Sequence, residues 1–289
     1  MKKNQAGSLY LALAASIWGG MYVVSKVVLT KIPPLELVWL RYAVAFITLI
    51  ILGMMTRQSW HIRKRDLPLI LIIGAIGYAL SIWAQFMGTK LTSAQMGAMI
   101  TSATPAFMVI FARLLLQEKI TFRKGLSITL ATIGVLFIVG VDNLGEGYQL
   151  GGIFLGIAAL SWALMSVLVK KVPSHYSQIV ITTYAVLIAM ILLTPFALYH
   201  MSFNQLQVLL QPEIGMGVLY LGVVSTAFAF FLWNKGLQMV DAGSGGLYFF
   251  FQPLVGTLLG WFFLGEQVGF AFWVGSLLIL GGVLLVLKE

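Results

Sequence analysis

The sequence predicts an all-α polytopic membrane protein, ten transmembrane helices arranged as two inverted five-helix repeats around a central cavity. Three observations predict it. The chain of 289 residues is 60% hydrophobic and 9% charged, with a mean hydropathy of +0.97, so it has too few polar groups to cover a water-soluble globule of this size. Ten apolar runs follow one another with short links, each long enough to cross a hydrocarbon core that needs about 20 residues of helix. The chain also matches itself: the stretch from Ala242 to Glu266 has a weaker copy from Ala94 to Glu118, with Pro105 answering Pro253 and Glu118 answering Glu266 at one constant spacing.

The runs lie near 7–29, 34–56, 67–89, 92–116, 121–140, 150–170, 177–199, 214–234, 242–264 and 268–287. Helices are the expected form, because a lipid-exposed backbone must satisfy its own hydrogen bonds and these runs are too long for barrel strands. The first run follows a basic start like a signal peptide, yet its apolar stretch reaches Leu29 and belongs to the repeat, so it reads as an uncleaved helix. The fourth and ninth runs each carry a mid-span proline. A proline has no N–H to donate and crowds the carbonyl four residues back, here that of Thr101 or Phe249, so both helices should break there. Loosened backbone at membrane depth is tolerated only where protein or a cavity surrounds it, and paired interrupted spans point to the binding site of a secondary transporter.

Charge sets the expected orientation. With the N-terminus inside, the cytoplasmic segments hold Lys2, Lys3, Arg57, Arg63, Lys64, Arg65, Lys119, Arg123, Lys124, Lys170, Lys171, Lys235 and Lys288, which is 13 of the 18 Lys and Arg residues. The outer segments hold only Lys31 and Lys90, and Lys26, Arg41 and Arg113 lie within spans. That bias places both termini in the cytoplasm and the chain in the cell membrane. The net charge of +9 is thereby accounted for without a nucleic-acid partner, since there is no basic stripe.

The repeat divides the chain into units of 1–144 and 145–289. Gly74, Gly88, Gly97 and Gly134 answer Gly222, Gly236, Gly245 and Gly282, while Trp18, Met21, Val23 and Lys26 answer Trp162, Met165, Val167 and Lys170. Five spans per unit is an odd number, so the second unit must be inverted relative to the first, the arrangement that lets one site face either side.

Matching spans then nominate a cavity near the midplane. Trp18 and Tyr22 share a helix face, as do their counterparts Trp162 and Ser166. Tyr78 and Gln85 answer Thr226 and Trp233, and Thr104, just before Pro105, answers Gln252, just before Pro253, with Tyr248 beside it. These residues predict an apolar, aromatic-walled pocket with a few hydrogen-bonding groups. Interfacial anchoring is the competing reading for Trp233 and Tyr22, interhelical bonding for Gln85 and Gln252, and a bond to its own helix for Thr104. Arg41 is expected to pair at the interface with Glu36 or to snorkel, with substrate contact the lesser reading. Lys26 is expected to snorkel, and Glu118 and Glu266 to serve beside helix termini. The glycine pairs Gly152/Gly156 and Gly256/Gly260 read as close packing within the bundle. No Asp or Glu lies mid-span, which disfavours a lipophilic-cation cargo and fits a neutral, zwitterionic or mildly anionic metabolite.

The doubled five-span plan, Trp18 followed by Gly19, the VWLRY run ending at Tyr42, and two proline spans each closed by a glutamate together resemble the EamA family of the drug/metabolite transporter superfamily, over nearly the whole chain. The resemblance implies ten helices around a cavity formed by spans 1, 3, 4, 6, 8 and 9, with Trp18, Tyr78, Trp162 and Tyr248 as wall residues, and export of amino acids or other small metabolites. Ala185 stands where Arg41 has its counterpart, so any role of that arginine belongs to one half only. An importer or facilitator is the alternative. A membrane enzyme is disfavoured because His61, His175 and His200 all fall in links and no paired mid-span acids or phosphate-binding loop is present; a sensor or scaffold would not need matched cavity residues. No cofactor or metal is called for, cysteine is absent, and cargo, coupling proton and oligomeric state stay open.

Overall fold

The computed structural model describes residues 3–92, 97, 100–101, 103–139, 146–200, 207–264 and 269–287. Among the described residues ten helices follow one another: α1 (Lys3–Val28), α2 (Pro34–Met55), α3 (Leu67–Leu91), α4 (Thr104–Leu116), α5 (Phe122–Val139), α6 (Glu146–Val169), α7 (Gln178–His200), α8 (Pro212–Leu237), α9 (Ala242–Leu264) and α10 (Phe270–Leu287). Seven of them, α1 to α3 and α6 to α9, are long and apolar enough to cross a membrane, and α4 and Trp273–Gly282 of α10 are shorter apolar helices. The chain is an integral membrane protein. Ala94, Asp142, Glu266, Lys2, Lys288 and the division at 144/145 lie outside the described residues.

Three irregularities interrupt this plan, at corresponding places in the two halves. The middle of α3, Ile73–Leu80, and the middle of α8, Tyr220–Phe228, are π-helical. A π turn tilts carbonyls off the helix axis, where other side chains can reach them, and such turns cluster at functional sites. The Tyr78 carbonyl accepts from the Tyr42 hydroxyl at 2.6 Å, and the Ser225 carbonyl accepts from the Trp18 indole at 2.9 Å. The third irregularity is the proline break. Ala103 is a turn, α4 starts at Thr104 with Pro105 in its first turn, and in α9 a 3-10 segment, Leu247–Phe250, precedes the turn that holds Pro253. The described residues 97, 100 and 101 are helical, so the run is interrupted at Ala103 and resumes at Thr104 with Pro105 in the first turn, where no N–H is required.

Helix pairing exchanges the roles of the halves. α1 packs against α8 and α9, whereas α6 packs against α3 and α4. α2 packs on α7, and α5 on α10. Single contacts repeat the pattern: Gly88 lies on Leu155 and Gly151, and Gly236 on Leu11 and Gly7; Gly74 lies on Ile188 and Ala185, and Gly222 on Val44 and Arg41. α1 thus begins beside the end of α8, and α6 beside the end of α3. Most of the core is one apolar cluster drawn from α1 to α4 and α6 to α9, and aliphatic and aromatic side chains such as Ile47, Met54, Leu114, Phe196 and Phe262 face outward, as a lipid-facing surface requires.

Candidate functional site

The centre of the bundle is an aromatic cluster contributed by both halves. Trp18 meets Trp162 edge-on at 5.2 Å between ring centroids, and also touches Trp233 at 5.2 Å and Phe249 at 5.7 Å. Phe230 fills the remaining gap, at 5.2 Å from Trp162 and 4.7 Å from Tyr78. α1 can reach α9 closely because position 19 is glycine: a Cβ there would lie 2.7 Å from the Gln252 carbonyl oxygen.

Beside this cluster lies a small internal cavity. Its wall includes Trp18, Met21, Arg41, Ser81, Gln85, Thr101, Thr104, Trp162, Phe230, Phe249 and Gln252, so α1, α3, α4, α6, α8 and α9 all contribute and α2 adds one arginine. The volume open to the centre of a water-sized sphere is about 20 Å³, room for about one water. The aromatic rings fill most of the space at the centre of the bundle, so the cavity has no room for a metabolite as it stands.

Sequence-nominated residues divide three ways. Trp18, Gln85, Thr104, Trp162 and Gln252 line the cavity. Tyr22, Tyr78, Ser166, Thr226 and Trp233 form the layer behind it. The Tyr22 hydroxyl accepts from Gln85 Nε2 at 2.9 Å, lies 3.2 Å from Thr101 Oγ1 and bonds to Gln252, tying α1, α3 and α9 to the segment before α4. At the corresponding place in the other half, Trp233 Nε1 donates to Ser166 Oγ at 3.0 Å. Tyr78 stacks on Trp162 and accepts from Asn234, which also donates to Thr182. Tyr248 stands apart: it stacks on Phe251 and bonds to Ser8 near the start of α1, so it does not line this cavity.

Arg41 departs from its expected interfacial position. It is fully buried and lines the cavity. Its Nε donates to Thr226 Oγ1 at 2.7 Å, its remaining contacts to Met21 Sδ, Ser225 O and Ser225 Oγ are all 3.4 to 3.5 Å long, and among the described residues Glu36 does not pair with it. The physical reason is depth: two turns into α2 the side chain points inward at the π segment of α8, whose displaced groups receive it. Lys26 is exposed, as snorkelling predicts.

Sequence reasoning missed Phe230 and Phe249. Neither carries a polar atom, and both sit in aromatic-rich runs. Their repeat counterparts, Ile82 and Thr101, also line the cavity, and they are related by the same spacing as Pro105 and Pro253.

One face of the bundle is latched between the halves. Glu118, just past α4, accepts from the Ala242 N–H at 2.9 Å and the Gly243 N–H at 3.0 Å at the start of α9, and its Oε1 lies 3.9 Å from Lys170 Nζ. Lys124 lies 4.0 Å from Asp241 on the same face. Burial pushes the Lys170 ammonium below the usual lysine range, and Glu118 and Asp241 partly restore it.

Comparisons with known proteins bear on the family and the fold. The model of the EamA-like transporter family matches residues 5–140 and 149–288. The chain is 29% identical to an "Uncharacterized transporter YetK" of Bacillus subtilis, over 98% of this chain and 87% of that protein, and 26% identical to an "Uncharacterized transporter" of Archaeoglobus fulgidus, over 98% and 97%. A solved crystal structure 18% identical in sequence superposes with a TM-score of 0.80 over 96% of this chain and 94% of its own, a likeness of fold.

Proposed function

The chain belongs to the EamA-like transporter family, and from that premise we propose that it exports small metabolites, amino acids or similarly sized neutral, zwitterionic or mildly anionic compounds, from the cytoplasm across the cell membrane. The observation that carries this reading is the small cavity between the halves, lined by residues from corresponding positions, Trp18 with Trp162 and Thr104 with Gln252. A cavity of that size is consistent with a resting state between two open ones. Because the helix contacts recur with the halves exchanged, an exchange of conformations between the halves would open the cavity to the other side, which is alternating access. The latch at Glu118 would then be the gate of the cytoplasmic face, consistent with the excess of Lys and Arg expected there.

The test is a comparison of metabolites in the medium of cells making this protein and cells making Trp162→Ala at equal membrane abundance. Accumulation outside only with the intact protein supports export through this cavity. Equal release by both would leave export standing and displace the cavity, and faster depletion of a compound from the medium would turn the reading to uptake.

A further inference from the structure

We propose that Arg41 is the anion-recognising residue of the cavity and that the cargo is a small organic acid of net charge −1, held by its carboxylate; this rests on the transporter reading and narrows its cargo. A guanidinium has five N–H donors in a fixed fork. Here Nε makes a short bond to Thr226, while one terminal nitrogen meets only the weakly accepting Met21 sulfur and the other makes long contacts to Ser225. The side chain is 0% exposed, and among the described residues no carboxylate pairs with it. The faces of Phe86, Phe230 and Tyr42, at 5.3 to 6.0 Å, soften the cost but offer no counter-charge. An uncompensated cation at this depth is expensive, and such groups sit where they serve a ligand path.

Two more buried donors on wall residues lack a partner. Trp162 and Thr104 line the cavity, both residues are at least nine-tenths buried, and neither the indole N–H nor the hydroxyl has a hydrogen bond. The contrast with the other half is informative, because Trp18, the counterpart of Trp162, spends its N–H on the Ser225 carbonyl. Symmetry is broken at the same place twice: Arg41 faces Ala185 in the repeat, and a bonded indole faces an unbonded one. A carboxylate accepts through about four lone-pair sites, matching a guanidinium edge together with an indole N–H and a hydroxyl. Charge balance then separates acids from amino acids. The cavity wall has one cation and no acid, so a monoanion neutralises it, whereas a zwitterion brings a second cation beside Arg41 and leaves the desolvated site positive.

The test uses the purified full-length protein and three trios that share a carbon skeleton and differ in charge: phenylalanine, hydrocinnamate and hydrocinnamide; leucine, isocaproate and isocaproamide; alanine, propanoate and propanamide. Binding is read from thermal stabilisation across a concentration series. At least one acid should stabilise the protein at concentrations where its amide and its amino acid do not. Arg41→Gln should weaken that acid by roughly 30-fold or more, as expected for removing one member of a buried charge pair. Trp162→Phe, which keeps the ring, should weaken it by about tenfold, one hydrogen bond to a charged group. Thr226→Val removes the short bond that Arg41 makes while keeping the charge, so it should preserve the preference for acid over amide. The proposal is overturned if no acid stabilises the protein, if the amino acids bind as well as their deaminated acids, or if Thr226→Val erases the preference as fully as Arg41→Gln, which would make Arg41 a brace for α8. The transporter reading fails separately, if a cysteine placed in the cavity never becomes reachable from either side of the membrane.

Discussion

Replacing Glu118 with glutamine should unlatch one face of the bundle. In the native chain the carboxylate receives two backbone N–H groups at 2.9 and 3.0 Å. Glutamine keeps one acceptor oxygen and turns an amide NH₂ toward the second N–H. One charge-assisted bond becomes neutral and another is lost, which costs about 2 to 3 kcal/mol at about 1.5 to 3 kcal/mol per bond to a charged group. Lys170 adds little, since its 3.9 Å pair is partly solvated and such pairs contribute under about 1 kcal/mol. With each 1.4 kcal/mol worth about tenfold, the ratio of unlatched to latched molecules should rise by roughly 30- to 150-fold. The chain has no cysteine, so Ser81→Cys, a near-isosteric change in the cavity wall, provides a single reporter. The rate of labelling by a membrane-impermeant maleimide is measured from each side of oriented vesicles, with and without Glu118→Gln. A rise confined to the face that bears Glu118 is expected. An unchanged rate would refute the latch, and an equal rise from both faces would show that the substitution merely loosens the fold.

Trp18→Phe and Trp162→Phe lose the same ring volume, but only Trp18 has a bonded N–H, so Trp18→Phe should unfold more readily by about 1 kcal/mol in denaturant titrations of the purified protein. Burial lowers the Lys170 pKa in the latched conformation below its ordinary 10.5, and exposure in an open one should restore it; the latched form then binds fewer protons in the alkaline range just below 10.5, so it gains stability as pH rises. Measured relative to Lys170→Met at each pH, which takes out the reporter thiol's own ionisation, labelling of Ser81→Cys from that face should slow accordingly. Tyr248→Phe removes the bond to Ser8 outside the cavity, so it should leave cargo affinity unchanged in the stabilisation assay and cost at most about 1 kcal/mol of stability.

The helical plan was legible because the membrane imposes one simple rule on long apolar runs, and the ten spans lie within a few residues of their expected places. The fourth is interrupted at Ala103, just before Pro105, as a proline within an apolar run leads one to expect. The cavity was legible as far as polar atoms and repeat spacing could mark it, which brought in Trp18, Gln85, Thr104, Trp162 and Gln252. Tyr248 was named by its helical spacing from Gln252, which repeats that of Ile100 from Thr104, and by resemblance, but the 3-10 segment Leu247–Phe250 changes the angular step per residue and turns it toward α1. The same step brings Phe249 to the wall. Arg41 was misplaced because distance along α2 measures depth and says nothing of facing; its direction is set by α8, 185 residues later in the chain. The two π segments were not expected: Ile73–Leu80 holds Gly74 and Gly77 and Tyr220–Phe228 holds Gly222, which weaken a helix without fixing how it will wind.

Two identical halves related by exchange would make the two open conformations equal in energy, and the protein would rest as often toward one compartment as toward the other. Every departure from identity is therefore a bias on that rest position. The guanidinium opposite Ala185 and the one indole spent on Ser225 are such departures, and they lie at the cavity itself. They cannot set the direction of net flux, which belongs to the gradients. What they can set is how concentrated the cargo must be on each side before the carrier fills, so a duplicated gene that drifts at a few inward positions would acquire an inside and an outside in its kinetics.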